Sequence, residues 1–235
     1  MIPRVLSLCS AVLIALSALI GPASAGNNPV VVELYTSQGC SSCPPADKLL
    51  HELADRDDVI ALALHVDYWD YIGWKDKFAD PAHSARQRAY AVTMGARSIY
   101  TPQMIVNGRD SIVGARAMDL ADSIASQKQS ASGVQLSITR EASSLRIAAH
   151  TNNAPQKMVV HMLRYTPRRE VKITRGENAG RQLKYSNVVQ DWKVLREWEG
   201  EGALNFEAEL MGDAPVVVLI QAVDNGPILA AARLR

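Results

Sequence analysis

The chain has 235 residues, with 25 lysines and arginines against 24 aspartates and glutamates, for a formal net charge of +1. So even a balance gives no global attraction to nucleic acid or to an anionic membrane surface. The length suits one large domain or two small ones, and 3 cysteines exclude a multi-disulfide scaffold.

The first segment carries Arg4, an apolar run from Val5 to Ile20, and then Ala23-Ser24-Ala25. A basic start, an apolar core and an A-x-A end are the three parts of a secretory signal peptide, expected over residues 1–25. The run is short for a membrane span, so a retained N-terminal anchor is the competing reading. Leu8 is bulky where a lipoprotein signal has a small residue before its cysteine, so Cys9 is expected to leave with the peptide. The expected mature chain is exported, to the periplasm or beyond, with no stable membrane span. Its charge is then 24 basic residues against 24 acidic ones, since Arg4 alone is lost, and it keeps only Cys40 and Cys43.

Val30 to Tyr35 reads as a strand buried on both faces, interrupted by Glu33. That carboxylate is either a strand-end group facing water or a buried proton acceptor beside the cysteines, its pKa raised by desolvation. Next comes Cys40-Ser41-Ser42-Cys43, and from Ala46 the apolar positions Leu49, Leu50, Leu53 and Ala54 repeat at helical spacing. Pro44 and Pro45 fit only a first helical turn, where N–H groups have no partner. Two thiols therefore sit at a helix N-terminus, where free N–H groups and the helix dipole stabilise a thiolate.

Val59 to Val66 reads as a second buried strand, parallel to the first because a helix crosses between them. Residues 67–81 hold Tyr68, Trp69, Tyr71, Trp74 and Phe78 among acids and lysines, with no clean period. The rings either close over the core or form an aromatic wall that grips substrate, with Tyr68, Trp69 and Trp74 as candidate contacts. Ala82 to Met94 reads as a helix ended by Gly95. Asn107-Gly108 between two apolar runs signals a hairpin, Pro102 heads its first strand, and Ala115 to Gln127 gives a further helix.

This order, with Cys40, Cys43 and Thr101-Pro102 in place, resembles a thioredoxin-like domain over residues 26–132, with 67–81 as an aromatic insertion. The resemblance implies an α/β fold, a central mixed sheet flanked by helices, and a cis-proline packed near a redox-active disulfide of Cys40 and Cys43. It also implies that Cys40 is the exposed sulfur in exchange, that Cys43 resolves, that Thr101 offers backbone hydrogen bonds to the substrate chain, and that Pro102 presents no competing N–H. Glu33 would take the proton of Cys43, although one extra residue separates it from the first cysteine, and Gly39 stands where the family has tryptophan. The whole chain, through the Tyr35-Thr36-Ser37-Gln38-Gly39-Cys40 and Tyr100-Thr101-Pro102-Gln103 segments, further resembles an uncharacterised secreted bacterial family, domain of unknown function 1223.

A polar linker over 127–133 precedes a change of period to 2: Val134 to Ile138, Leu145 to Ile147, Val159 to Leu163, Val171 to Ile173, Leu204 to Phe206, Val216 to Val223 and Ile228-Leu229. Short strands with turn signals predict an all-β, sandwich-like domain over 133–235. Arg164, Arg168, Arg169, Lys172, Arg175, Arg181 and Lys184 form a basic stretch, read as a solvated strand face or as a docking surface for the first half. No stacking aromatics run in register with it, so nucleic acid is not an expected partner. The loop from Gly176 to Gly180 has the residues of a specific turn that could reach over a neighbouring site.

A C-x-x-C is shared by redox pairs, metal ligands and structural links. Zinc would need two more ligands, which the mature chain does not offer in any paired motif, so no metal and no cofactor is expected. His51, His65, His83, His150 and His161 read as core or surface residues. Exported thiol–disulfide exchange on a protein or small-molecule disulfide, with an unidentified redox partner, uses the helix terminus, the proline and the compartment together. The alternative is a non-catalytic binding protein or Cu(I) chaperone, because two thiolates suit that soft ion.

Overall fold

The structure is a computed structural model that describes residues 28–130 and 132–235; the expected signal peptide lies outside the described residues. β1 (Val30–Thr36) and β2 (Val59–His65) are buried along their whole length and pair in parallel, with α1 (Pro44–Leu53) crossing between them. After α2 (Pro81–Thr93) comes the hairpin of β3 (Gln103–Val106) and β4 (Asp110–Val113), with β3 antiparallel to β1. Its turn places Asn107 and Gly108 at φ 48° and 64°, the two left-handed positions that an Asn-Gly turn supplies. α3 (Ala117–Gln129) closes this half.

Because strand side chains alternate between faces, Val30, Val32 and Leu34 pack against Ala46 and Leu50 of α1 and Leu120 and Ile124 of α3. Val31 and Tyr35 point to the other face, where Tyr90 of α2 lies. Glu33 follows Val31 and Tyr35 onto that second face, while Thr36 shares the face of α1.

The second half is built from strands: β5 (Val134–Glu141), β6 (Ser144–Thr151), β7 (Met158–Lys172), β8 (Gln182–Trp198), β9 (Leu204–Glu209), β10 (Val216–Ala222) and β11 (Ile228–Leu234). Where the sequence suggested a self-contained sandwich, these strands divide between two sheets. One is antiparallel, in the order β5-β6-β9; the other is a mixed sheet of 8 strands, β11-β10-β7-β8-β2-β1-β3-β4, continuous with the first half. The run 159–163 and the start of the run 171–173 belong to one strand of 15 residues that ends at Lys172, and the unexpected β8, at 17 residues, pairs with it. β8 meets β2 at a single register pair, Ala63 with Val188, reinforced by Asn187 Nδ2 donating to the Ala61 carbonyl at 2.8 Å. The small sheet lays Val134, Leu145, Ile147 and Leu204 over Met158, Val160, Val216, Val218 and Ile220.

Strands of this length exceed the usual five or six residues, and the excess has a structural consequence. The β7–β8 hairpin runs past its own sheet partners, and its tip arrives beside α1. Arg168 on β7 grips Asp55 with two hydrogen bonds of 2.8 and 2.7 Å, so one member of the basic stretch docks on the first half, while Arg169, Lys172 and Lys184 remain exposed.

Candidate functional site

β1 ends at Thr36, and Ser37, Gln38 and Gly39 lead to Cys40. Cys43 is the N-cap residue of α1, and its carbonyl accepts the N–H groups of Ala46 and Asp47 at 2.9 and 3.1 Å. Pro44 and Pro45 occupy the first turn, where a missing N–H costs nothing. A disulfide joins Cys40 and Cys43, whose Cα atoms are 5.4 Å apart, and Cys40 Sγ lies 3.4 Å from Ser42 Oγ. Ser41 and Ser42 are exposed, yet Cys40 is only 1% and Cys43 0% accessible. The expected exposed sulfur at Cys40 is thus covered.

Part of the cover is the aromatic segment. A Cβ on Gly39 would lie 3.2 Å from Trp69 Cβ and 3.3 Å from Ile72 Cδ1, so glycine is the residue that admits this approach. Trp69 Nε1 donates to Thr101 Oγ1 at 2.7 Å, which ties the loop before Cys40 to the cis Thr101–Pro102 peptide at the head of β3. Pro102 is buried and Thr101 half-buried. Tyr68 Oη donates to Gln87 Oε1 at 3.1 Å, and burial pushes the phenol up to about 12. Trp74 Nε1 donates to Gln38 Oε1 at 2.9 Å.

The tip of the β7–β8 hairpin, residues 173–181, also packs on the backbone that leads into Cys40. Asn178 Nδ2 donates to the carbonyls of Gln38 and Cys40 at 3.0 and 2.9 Å, and its Oδ1 accepts from Arg181 at 2.9 Å. Gly176, at φ 76°, packs against Trp74, where a Cβ would lie 3.1 Å from Trp74 Cβ.

Beneath the disulfide lies a polar cluster on the α1 face of the sheet. Asp47 is one turn along α1 from Cys43 and 5% exposed, and it accepts a hydrogen bond of 2.8 Å from Thr36 Oγ1. Burial pushes its carboxyl up to about 7, with Asp76 adding to the rise and His65 and the Thr36 hydroxyl opposing it. Asp76 accepts from His65 Nδ1 and the Gln38 N–H, both at 2.7 Å, and from the Phe78 N–H at 2.8 Å. Burial raises its carboxyl as well, but His65 and these N–H groups outweigh burial and hold it below the usual range. His65 meets the rings of Tyr185 and Phe78 edge-on at 4.8 and 5.2 Å. A cavity of about 230 Å³ between Pro44, Asp47, Lys48 and His51 of α1 and Gln182, Leu183 and Lys184 of β8 leads from Asp47 to solvent.

Glu33 takes no part in this cluster. It is fully buried on the opposite face, paired with Arg86 Nε at 2.7 Å and accepting from Tyr90 Oη at 2.6 Å. Arg86 also reaches Gln221 and Asn225, each at 3.0 Å, and lies 4.2 Å from the Trp192 ring centroid. This buried ion pair ties α2 to the second half of the chain.

Of the residues singled out in sequence, the structure gathers Cys40, Cys43, Thr101, Pro102, Trp69 and Trp74 around one loop, sets Tyr68 against α2 through Gln87, and leaves Glu33 elsewhere. Asp47 was missed, although i to i+4 spacing from Cys43 puts both on one helix face; nothing in sequence announced the His65–Asp76 pair. Among the described residues, no three His, Cys, Asp or Glu side chains are grouped so as to hold a metal ion, and no helix is long and apolar enough to cross a membrane.

No curated protein matches the chain. Among solved structures it is similar to the crystal structure of a protein from Agrobacterium tumefaciens, with a TM-score of 0.76 and 30% identity over 87% of this chain and 93% of that one. It is also similar in fold to HBP35 of Porphyromonas gingivalis, with a TM-score of 0.58 and 15% identity over 88% of this chain and 75% of that one. A family model matches residues 31–221, and the chain belongs to that family, described as a protein of unknown function (DUF1223).

Proposed function

We propose that this is an exported thiol–disulfide oxidoreductase with a thioredoxin-like first half, acting through Cys40 and Cys43. The observation that carries the reading is the disulfide at the N-terminus of α1 with a buried carboxyl, Asp47, one turn further on the same helix. Strand, cysteine pair, helix, parallel strand, helix and hairpin follow in the order expected of a thioredoxin-like domain, and Trp69 approaches Gly39 through its Cβ while its indole reaches Thr101. Such a carboxyl, poised near neutral pH, suits proton transfer in both directions.

In the proposed reaction a substrate thiolate attacks Cys40 Sγ. The S–S bond breaks, its electron pair passes to Cys43 Sγ, and the leaving sulfur takes a proton from Asp47. A second substrate thiolate then attacks the substrate sulfur of the mixed disulfide, and Cys40 leaves as a thiolate held by the α1 terminus and the Ser42 hydroxyl. The substrate dithiol loses two electrons and departs as a disulfide, while the protein pair gains two. Reversed, the same steps reduce a substrate disulfide, and a second disulfide or dithiol closes the cycle. Thr101 offers its backbone to the substrate chain, and Asp47 regains its proton through the cavity beside Lys48 and Lys184. The proton role expected of Glu33 passes to Asp47, because Glu33 is committed to Arg86 on the other face.

The test is trapping in the exported compartment. Cys43→Ser should accumulate mixed disulfides through Cys40, and Cys40→Ser should not; equal trapping by both variants, or none by either, would remove the assigned roles.

A further inference from the structure

The tip of the β7–β8 hairpin, residues 173–181, forms a strap against the Gln38 and Cys40 backbone with features that chain closure alone does not require. Thr174, Arg175, Glu177, Ala179 and Gly180 all face solvent, and a single side chain between them, Asn178, turns inward to 1% exposure. The strap is pinched at its base, where the Ile173 N–H donates to the Arg181 carbonyl and the Gly180 N–H to the Ile173 carbonyl, each at 2.9 Å. It is therefore a small closed loop on the end of the hairpin. Arg181 holds Asn178 Oδ1, which leaves both amide hydrogens for the carbonyls of Gln38 and Cys40. Trp74 fastens the other side, between Gln38 Oε1 and Gly176. The described contacts of Asn178 are to backbone on both sides of Gly39 and to its own strap, so it braces neither core.

We infer that Asn178 is the specificity-determining residue of the Cys40–Cys43 pair: its strap admits small thiols and excludes folded protein dithiols. The inference rests on the exchange reading above and names its substrate class. Attack on Cys40 Sγ needs a line of approach opposite Cys43, and with the residues Cys40 and Cys43 1% and 0% exposed that line opens only when the strap lifts. A small thiol needs the Asn178 contacts alone to release, whereas a protein dithiol must bring its own backbone against Thr101 and needs the whole strap, with Trp74, displaced. Two neutral hydrogen bonds of ordinary strength bias closure by roughly tenfold to a hundredfold, and this factor divides the exchange rate with any attacker. The larger displacement adds a further factor that only the protein dithiol meets.

The experiment is reduction of the oxidised full-length mature protein by glutathione and, separately, by reduced thioredoxin as a protein dithiol, in the parent, in Asn178→Ala and in Gly176→Ala. The last variant crowds Trp74 from a left-handed position and loosens the strap without touching Asn178. Circular dichroism and a urea midpoint accompany each protein, so a folding defect in one variant leaves the other to decide. The expected result is parent reduction by glutathione far faster, per thiolate, than by thioredoxin. Both rates should rise on the order of tenfold or more in the variants, with the gain for thioredoxin the larger. Equal rates for the two reductants in the parent, or variant rates unchanged in folded protein, would overturn the strap's role while leaving exchange at the pair intact. A pair that neither reagent reduces in any folded variant would overturn the exchange reading and this inference with it.

Discussion

Asp47→Asn isolates the proton role proposed for the carboxyl below the cysteine pair. The asparagine keeps the shape and still accepts from Thr36 Oγ1, so the change removes the titration and little else. Burial raises the Asp47 carboxyl from its ordinary 3.8 to about 7, so in between the folded protein holds a proton that the unfolded chain has released. Stability from this group is therefore complete below about pH 4 and lost progressively as pH rises through about 7. At about 1.4 kcal/mol for each pH interval of one, the loss has a ceiling of about 4 kcal/mol. Urea unfolding of the oxidised protein should show the variant more stable than the parent at pH 8 by up to that amount and nearly equal at pH 4. The exchange rate gives a second readout, independent of folding. Expressed per substrate thiolate, the parent rate should fall as pH rises through about 7, because the protonated carboxyl is the form that serves the departing Cys43 sulfur. In the variant the profile should be flat and on the order of 10²-fold lower at pH 6. Superimposable pH profiles of rate and stability for the two proteins would refute the assignment of Asp47.

Two further substitutions probe the neighbouring assignments. Glu33→Gln should cost about 3–5 kcal/mol in urea unfolding, because it leaves the buried Arg86 without its countercharge; the exchange rate of the protein that remains folded should not change, and a selective loss of rate would return the proton role to Glu33. Ser42→Ala removes the hydroxyl 3.4 Å from Cys40 Sγ and should slow alkylation of Cys40 in the reduced protein by about fivefold at neutral pH, the worth of one hydrogen bond of about 1 kcal/mol.

The parts of this molecule written in local pattern were readable from sequence. β1, the cysteine pair, α1 and β2 follow from an apolar run, two prolines and a second apolar run, and the Asn107-Gly108 hairpin from its turn chemistry. Parity alone would have turned Glu33 away from the cysteines: it shares a face with Val31 and Tyr35, and Thr36 takes the other. β8 stayed hidden because its period is broken, with Asn187 and Asp191 at φ 49° and 47° and register shifts against β7 near Val160 and Met162. Without β8 there was no way to see one sheet crossing from the first half to the second. The loop from Gly176 to Gly180 carried the marks of a specific turn, but its target depended on the lengths of β7 and β8, which carry Asn178 to the carbonyls of Gln38 and Cys40. His65 and Asp76 meet across 11 positions through a segment without periodicity, a pairing that only the fold creates.

In the proposed function Cys40 and Cys43 cycle between disulfide and dithiol in the folded protein. Equilibration of the purified mature chain in glutathione and dithiothreitol buffers of graded potential, followed by alkylation and mass measurement, tests it directly. The expected result is a single two-electron transition between about −120 and −300 mV, reached from either the oxidised or the reduced side. A disulfide that stays closed in every buffer while the chain remains folded, or a reduced pair that takes up Cu(I) stoichiometrically and exchanges with no disulfide, would contradict it.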